Sequence, residues 1–296
     1  MISYSKDIIV IAGPTASGKS SLAIKLAKEI NGVIINADSR QVYKEISVGT
    51  ARPTKKEMQG VSHYLYGHIS VTEEYNIYKY QQDVKKILNE IPKEKTPILV
   101  GGSGLYIDSV IFNYNLTQSS TEKFDVERRT KLNNMDVKTL QELIKDIDPK
   151  LLENLNSSDK KNPMRLVRMI ERGENEDRGQ ALKHVYFVVD IPKEDLNKRI
   201  KERTEKMFEN GLLEENIKIR KKSLEKYPAL NTIGYQEFNK YFSKEISLEE
   251  VKDEIIKNTK NYAKRQKTWF RKHDHAIWTN DYSLMLEESV KLINTL

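Results

Sequence analysis

The chain contains no cysteine, and that absence removes several chemistries at once. Disulfides are excluded, and so are thiolate zinc sites, including the zinc-finger route to nucleic acid. The lack also fits a reducing cytoplasm, the expected location. No apolar run approaches the roughly 20 residues needed to cross a bilayer, and the first residues carry no charged-then-apolar leader, so no membrane partner is expected. Internal repeats and low-complexity segments are missing too. Neither sign of charge dominates: 50 lysines and arginines stand against 43 acidic residues, a formal net charge of +7. A solvated surface accounts for so small an excess. The basic residues nevertheless cluster, at Lys160, Lys161, Arg165, Arg168 and Arg172 and again over Lys257–Lys272. Clustering is what a polyanion partner requires.

What is present starts with residues 8–20, IIVIAGPTASGKS. A β-branched run feeds Gly13, and Gly18, Lys19 and Ser20 complete the pattern G-x-x-x-x-G-K-[ST], a phosphate loop. Glycine permits backbone conformations closed to other residues, so successive N–H groups of Gly13, Pro14, Thr15, Ala16, Ser17, Gly18, Lys19 and Ser20 (proline excepted) can converge on phosphate oxygens. The helix that follows points its positive end at the same anion. Lys19 reaches the terminal phosphates, and Ser20 is the expected Mg²⁺ ligand. The pattern says that a diphosphate or triphosphate is held. It does not say whether phosphate is transferred, hydrolysed or expelled.

With 296 residues, 38% of them hydrophobic, the chain can bury a core and carry an inserted domain. Strands are expected at 7–12, 32–37, 64–69 and 97–100, alternating with helices at 19–30, 78–91 and 104–112. Such alternation predicts an α/β fold, a P-loop NTPase-like, mostly parallel sheet flanked by helices. From about Asn113 to Gln180 the β-branched runs stop. Charged helical stretches take over at 126–133, 137–147, 149–155 and 163–172, and a loop is expected at 173–179. The expected organisation is therefore a catalytic core of residues 1–112 and 181–296 and an all-helical insertion domain of residues 113–180. The core resumes with a strand at 184–191, then helices at 196–211, 213–222, 232–241 and 248–270, and a closing strand at 276–279.

Four segments could carry chemistry. Asp38 follows the second strand, in Asp38-Ser39-Arg40-Gln41-Val42-Tyr43. A carboxylate there either caps the following turn or serves a metal or a proton transfer. Gly101-Gly102-Ser103-Gly104-Leu105-Tyr106 follows the fourth strand, where a P-loop ATPase commonly places an acid for Mg²⁺; none follows ILV here. Arg199 and Arg203, four apart, share a helix face and either pair with Glu202 and Glu205 or aim at the phosphate. The stretch Tyr262–Lys272 interleaves basic and aromatic residues, which suits nucleic acid but also an amphipathic helix with its rings in the core. Gly49-Thr50-Ala51-Arg52-Pro53 reads locally as a polar turn, and His63 and His68 are assigned no chemistry.

Taken together, the stretches GPTASGKS, DSRQVY, GTARP, GGSGLY, NPMRLVR, IGYQE and YAKRQKTWF, in this order from residue 13 to 270, resemble the bacterial tRNA dimethylallyltransferase (tRNA isopentenyltransferase) family. The resemblance implies transfer of a dimethylallyl group from dimethylallyl diphosphate to N6 of the adenosine 3′-adjacent to the anticodon of tRNA. It implies Mg²⁺ as cofactor and the anticodon stem-loop as partner. It makes Asp38 the base that orients the amino group and takes its proton. Thr15 becomes the donor to the bridging oxygen, and Arg203, Lys19 and Ser20 with its metal the groups that stabilise the departing diphosphate. The tRNA contacts implied are Asp38, Ser39, Arg40, Gln41, Ser103, Arg128, Met164, Arg165, Leu166, Val167 and Arg168. Ser20 and Ser103 stand where threonine is commoner in the family, Arg52 where lysine is, and the segment 171–179 is shorter than usual. A monomer is expected.

Three other readings compete. An adenylate isopentenyltransferase would prenylate free AMP, ADP or ATP, but a mononucleotide needs neither the helical insertion nor the basic C-terminal helix. A P-loop small-molecule kinase would consume ATP, and a non-catalytic RNA-binding module would bind tRNA without transfer.

Overall fold

The structure, a computed structural model, describes residues 7–116, 126–153, 155, 157–172 and 179–294, with only the backbone at 126, 127, 129, 168, 171 and 172. The expected loop at 173–179 and the short segment 171–179 thus fall largely outside the described residues.

The first part of the chain runs β1 (Ile8–Ala12), α1 (Lys19–Glu29), β2 (Gly32–Asn36), β3 (His63–Tyr64), α2 (Ile77–Glu90), β4 (Thr96–Gly101) and α3 (Gly104–Ile111). A run of helices follows: α4 (Val126–Asn133), α5 (Val137–Ile147), α6 (Pro149–Glu153), α7 (Ser157–Lys160) and α8 (Pro163–Arg172). The last part runs β5 (His184–Val189), α9 (Lys193–Glu209), α10 (Leu212–Lys221), a 3₁₀ turn at Pro228–Leu230, α11 (Phe238–Phe242), α12 (Leu248–Phe270), β6 (Ile277–Thr279) and α13 (Tyr282–Asn294). The chain divides into two compact units, residues 1–111 with 182–296, and residues 112–181.

In the first unit the described strands form one sheet, order β3-β2-β4-β1-β5-β6, with every pair parallel. A strand buried on both faces has no polar face to alternate, which is why Ile8–Ala12 reads as unbroken apolar sequence and is at most 2% exposed. The apolar faces of α1 (Ala23, Leu26, Ala27), α9 (Leu196, Ile200) and α13 (Met285) pack with Ile9, Ile11, Val100 and Phe187 into one core. Each such aliphatic side chain contributes about 1.5–3 kcal/mol by leaving water.

Register decides where the site falls. Ala12 pairs with Gly101 and with Val188, and Asn36 pairs with Val100. The segments that follow β1, β2 and β4 therefore leave the sheet at one edge, its carboxyl end, where open parallel sheets bind ligands.

Three local expectations change. The strand expected at 64–69 is only His63–Tyr64, because Leu65 (φ 63°) and Gly67 (φ 53°) turn the chain. The helix expected at 232–241 is confined to α11: Gly234 takes φ 92°, and its N–H donates to the Glu237 carboxylate at 2.9 Å, so turns occupy the first half. Helix α13 was not expected. Its signal is Met285, Leu286, Ser289, Leu292 and Ile293 at helical spacing, with the Ser283 N–H donating to Asp281 at 2.8 Å at its start.

The second unit has its own core. Leu140 and Ile144 of α5, Leu166, Val167 and Ile170 of α8, Leu132 of α4 and Leu152 of α6 bury one another. Asp136 caps α5 by accepting the Thr139 N–H at 2.9 Å.

Candidate active site

Helix α1 begins without a side-chain cap. Gly18 stands at its N-cap with φ 88°, a conformation that favours glycine, and Ala16 before it also takes positive φ at 63°. The first N–H groups of the helix have no partner within it, and here no serine, threonine or aspartate takes them, so an anion can. Lys19 lies back over the loop, its ammonium donating to the Pro14 carbonyl at 3.2 Å. Burial lowers its pKa from 10.5 to about 8, against the pull of Asp38, and Arg203 adds to the lowering. A desolvated lysine beside an arginine is a local excess of positive charge that a diphosphate would neutralise. Ser20, in the first turn of α1, is exposed.

The far side of the loop is closed by α9. Arg203 donates through Nη1 to the Thr15 hydroxyl oxygen at 2.8 Å and through Nη2 to the Thr50 carbonyl at 3.2 Å. Its Nε is buried with no hydrogen-bond partner among the described residues, and so is the Ser17 hydroxyl. Donors without a protein partner beside a phosphate loop suit an anionic ligand. Arg199 donates to the Ser17 carbonyl at 3.3 Å. The two arginines thus share the face that turns to the loop, and neither makes a salt bridge to Glu202 or Glu205 among the described residues.

The loop after β2 is held against the turn after β4 by close approach. A Cβ at Gly101 would run into the Ala37 backbone. With glycine there, the Ser103 N–H donates to the Ala37 carbonyl at 3.1 Å and the Ser103 hydroxyl oxygen accepts the Ser39 N–H at 2.9 Å. Asp38 caps the turn and also lines a cavity. Its Oδ1 accepts the Arg40 N–H at 2.9 Å, which is the turn-capping role, while the same side chain faces a cavity with Thr15 and Arg203. The Asp38 charge pushes up Tyr66 and Tyr262, the latter to about 12, though burial is the larger cause in each. Gln41 donates to the Thr50 and Ala51 carbonyls at 2.9 and 3.2 Å. Arg40 reaches the Ala229 carbonyl at 3.3 Å.

The cavity has a volume of about 340 Å³ and a mixed lining. Thr15, Asp38, Arg40 and Arg203 supply polar and charged groups, and Met207, Ile233 and Ile255, which cluster with Leu212 and Phe238, supply apolar ones. The lining suits a ligand that carries both an anion and an apolar group.

Several site features were not legible in advance. GTARP and IGYQE are braces: Glu215 accepts N–H groups from Ser47, Val48 and Gly49 at 2.8–3.1 Å, Tyr235 donates to the same carboxylate, and Arg52 holds the Tyr43 carbonyl at 2.6 Å. Helix α12 turns its aromatic side chains inward and leaves Lys264, Arg265 and Thr268 exposed. Phe270 is fully buried, the Trp269 indole donates to Asp108 at 3.0 Å, and Tyr262 contacts Ser103. On the same helix, buried Gln266 accepts the Thr15 N–H at 2.8 Å. The signal for that inward face, Ala263-Gln266-Phe270 at helical spacing, is hidden among lysines.

In the second unit, Leu166 and Val167 turn into its core, at 0% and 1% exposure, so their side chains do not face an RNA. Met164 is exposed, and Arg165 is half exposed and paired with Asp159 at 2.9 Å. Arg128 is exposed on α4, and the Arg168 side chain lies outside the described residues.

An all-parallel sheet, a phosphate loop, an arginine whose Nε has no partner among the described residues and a cavity lined by both charged and apolar side chains suit a P-loop group-transfer protein rather than a motor. The IPP transferase family model matches residues 41–273, and the chain belongs to that family. A tRNA dimethylallyltransferase of Thermoanaerobacter sp. is 37% identical over 295 residues, covering 93% of each chain. One from Acetivibrio thermocellus is 35% identical over 300 residues, covering 96% of this chain and 95% of that one. A crystal structure of the tRNA isopentenylpyrophosphate transferase of Bacillus halodurans superposes with a TM-score of 0.73 at 31% identity, over 98% of this chain and 96% of that one. A eukaryotic dimethylallyltransferase seen acting on tRNA superposes with a TM-score of 0.77 at 28% identity, over 90% of this chain and 70% of that one. No described helix is long and apolar enough to cross a membrane.

Proposed function

We propose that the chain transfers a dimethylallyl group from dimethylallyl diphosphate to N6 of the adenosine 3′-adjacent to the tRNA anticodon, releasing diphosphate. The observation that carries this reading is the convergence of Asp38, Thr15 and Arg203 on one cavity beside an uncapped phosphate loop. The diphosphate lies on the loop as a leaving group, with the prenyl tail toward Met207, Ile233 and Ile255. Attack by adenine N6 on the prenyl carbon breaks the carbon–oxygen bond. The electron pair leaves with the diphosphate, and the N6 proton passes to Asp38. Lys19 and Arg203 face the charge as it develops, and the Thr15 hydroxyl donates to the bridging oxygen. An adenine amino group is a weak nucleophile, so a carboxylate within reach has a task.

The residues fit Mg²⁺. No group of three or more His, Asp or Glu among the described residues could hold a metal alone, but Mg²⁺ keeps several waters and takes substrate phosphate oxygens, and the exposed Ser20 hydroxyl at the loop adds the protein oxygen of the G-K-[ST] pattern to such a set. Ser20 would hold it, and the bound ion would supply charge neutralisation to the diphosphate. The adenosine must leave its stack to enter a cavity of this kind. Arg165, Met164 and Arg128 are the exposed side chains on the second unit that would meet the anticodon stem.

The test is mass spectrometry of tRNA nucleosides after incubation with dimethylallyl diphosphate and Mg²⁺. An added C5H8 on adenosine supports the reading. Transfer to free AMP but not to tRNA, or consumption of the ATP γ-phosphate, would replace it.

A further inference from the structure

We propose that Gln266 is a positioning residue for the transfer: its buried amide ties the phosphate loop to the turn after β4 and, with Arg203, leaves Thr15 its hydroxyl proton for the leaving group. The inference rests on the proposed role of Thr15. Gln266 is 4% exposed on α12 and spans two segments far apart in sequence. Its Oε1 accepts the Thr15 N–H at 2.8 Å, and its Nε2 donates to the Gly102 carbonyl at 2.9 Å. A Cβ at Gly102 would collide with that Nε2, and one at Gly104 with the Trp269 indole, three residues along the helix. The glycines of GGSG and the Gln–Trp pair of RQKTW are therefore two halves of one contact.

The consequence falls on Thr15. Its N–H is taken by Gln266, and its hydroxyl oxygen already accepts from Arg203 at 2.8 Å. A hydroxyl has one proton to donate, and with Arg203 on its lone pair that proton points elsewhere, into the cavity that Thr15 lines. The other end of the strut holds Gly102, next to Ser103, which carries the Asp38 loop through the Ser39 N–H at 2.9 Å. One amide thus sets the leaving-group side and the acceptor side together. A side chain that only donates or only accepts can make one of the two bonds but not both.

Gln266→Glu tests this, because a carboxylate can accept from Thr15 but has no proton for Gly102, whereas a protonated carboxyl does both jobs in the same shape. Gln266→Met fills the volume and makes neither bond. Two quantities are measured from pH 6 to pH 8.5: single-turnover transfer at saturating tRNA and dimethylallyl diphosphate, and the affinity for inorganic diphosphate with Mg²⁺. At pH 8 the Glu variant is expected to lose at least roughly tenfold in turnover. That loss relative to wild type should shrink as pH falls and the carboxyl protonates, while the Met variant shows a loss whose ratio to wild type does not change with pH. Lys19, Asp38, Arg203 and Tyr262 surround the loop in all three proteins; the Met variant adds no charge, so its ratio to wild type isolates the lost bonds, and the pH course of the Glu variant is read against it. A Glu variant with a constant ratio, or a folded Met variant with wild-type turnover, would overturn the proposal. Far-ultraviolet dichroism at each pH checks folding; should the Glu variant unfold, the Met variant decides alone. If wild type transfers no prenyl group, the proposed function fails by itself, and the diphosphate affinities, with the same acid rescue expected, still decide the role of Gln266.

Discussion

Lys19→Met is expected to make the ligand-free protein more stable and unable to gain from diphosphate. Burial takes the Lys19 pKa from 10.5 to about 8, so at pH 7 the folded state carries a charge it disfavours. At about 1.4 kcal/mol per tenfold change in proton affinity, that costs roughly 3 kcal/mol. The substitution also loses the hydrogen bond to the Pro14 carbonyl, worth about 1 kcal/mol, which leaves about 2 kcal/mol of net stabilisation. The sign follows from proton counting. Between pH 8 and 10.5 the unfolded chain binds more protons than the folded one, so wild-type stability rises with pH across that window, and below it the cost is fully present. The variant, with no group to titrate, should therefore melt about 4–8 °C above wild type at pH 7, with the gap closing toward pH 10. Diphosphate at a hundredfold excess over its dissociation constant should add about 2.7 kcal/mol to wild type and far less to the variant. Thermal melts at pH 7 and 9.5, with and without diphosphate, read all of this. A variant that melts below wild type at pH 7 without ligand would refute the account of Lys19 as a strained, ligand-awaiting cation.

Asp38→Asn keeps an oxygen for the Arg40 N–H but cannot take a proton, so single-turnover rates should fall about 10²–10⁴-fold while diphosphate affinity changes little; near-normal turnover would leave Asp38 as a turn cap only. Arg165→Ala should weaken tRNA binding and reduce the slope of log affinity against log salt by about one, with diphosphate affinity unchanged; an unaltered slope would leave Arg165 to its Asp159 pair. Leu166→Ala should destabilise the second unit by about 2–5 kcal/mol through a cavity against Leu140 and Ile144; wild-type thermal unfolding of that unit would contradict its burial.

Much of the site was legible because local chemistry dictates it. Gly18, Lys19 and Ser20 must follow a buried strand for the loop to work, and the apolar runs before Gly13 and before Gly101 announce parallel strands whatever the rest of the chain does. Arg199 and Arg203, four apart, were bound to share a helix face, and the open question was only which partner that face would meet. The short β3 and the turns around Gly234 depart from local propensity for a different reason. Propensity over six to ten residues carries little weight against a positive φ that tertiary contacts impose at Leu65, Gly67 or Gly234. Helix α12 shows the same limit: exposed Lys257, Lys260, Lys264 and Arg265 hide a face, Ala263, Gln266 and Phe270, that is buried.

By itself, the sequence determined that a loop of the phosphate-cradling kind stands at the end of a central strand, because the loop's backbone demands are met by residues next to one another. It determined the family too, through motifs whose order spans the chain. Only the tertiary structure decided what those motifs do to each other. Sheet register sets Ala12 beside Gly101 and Asn36 beside Val100, and so brings the phosphate loop, Asp38 and Ser103 to one edge. The fold then lays Gln266 across a sequence distance of 251 residues onto the Thr15 N–H and swings Arg203 over 188 residues to the hydroxyl of the same residue. A hydrogen bond depends on position to a few tenths of an ångström, and spacing along a chain holds no record of which distant segments will meet.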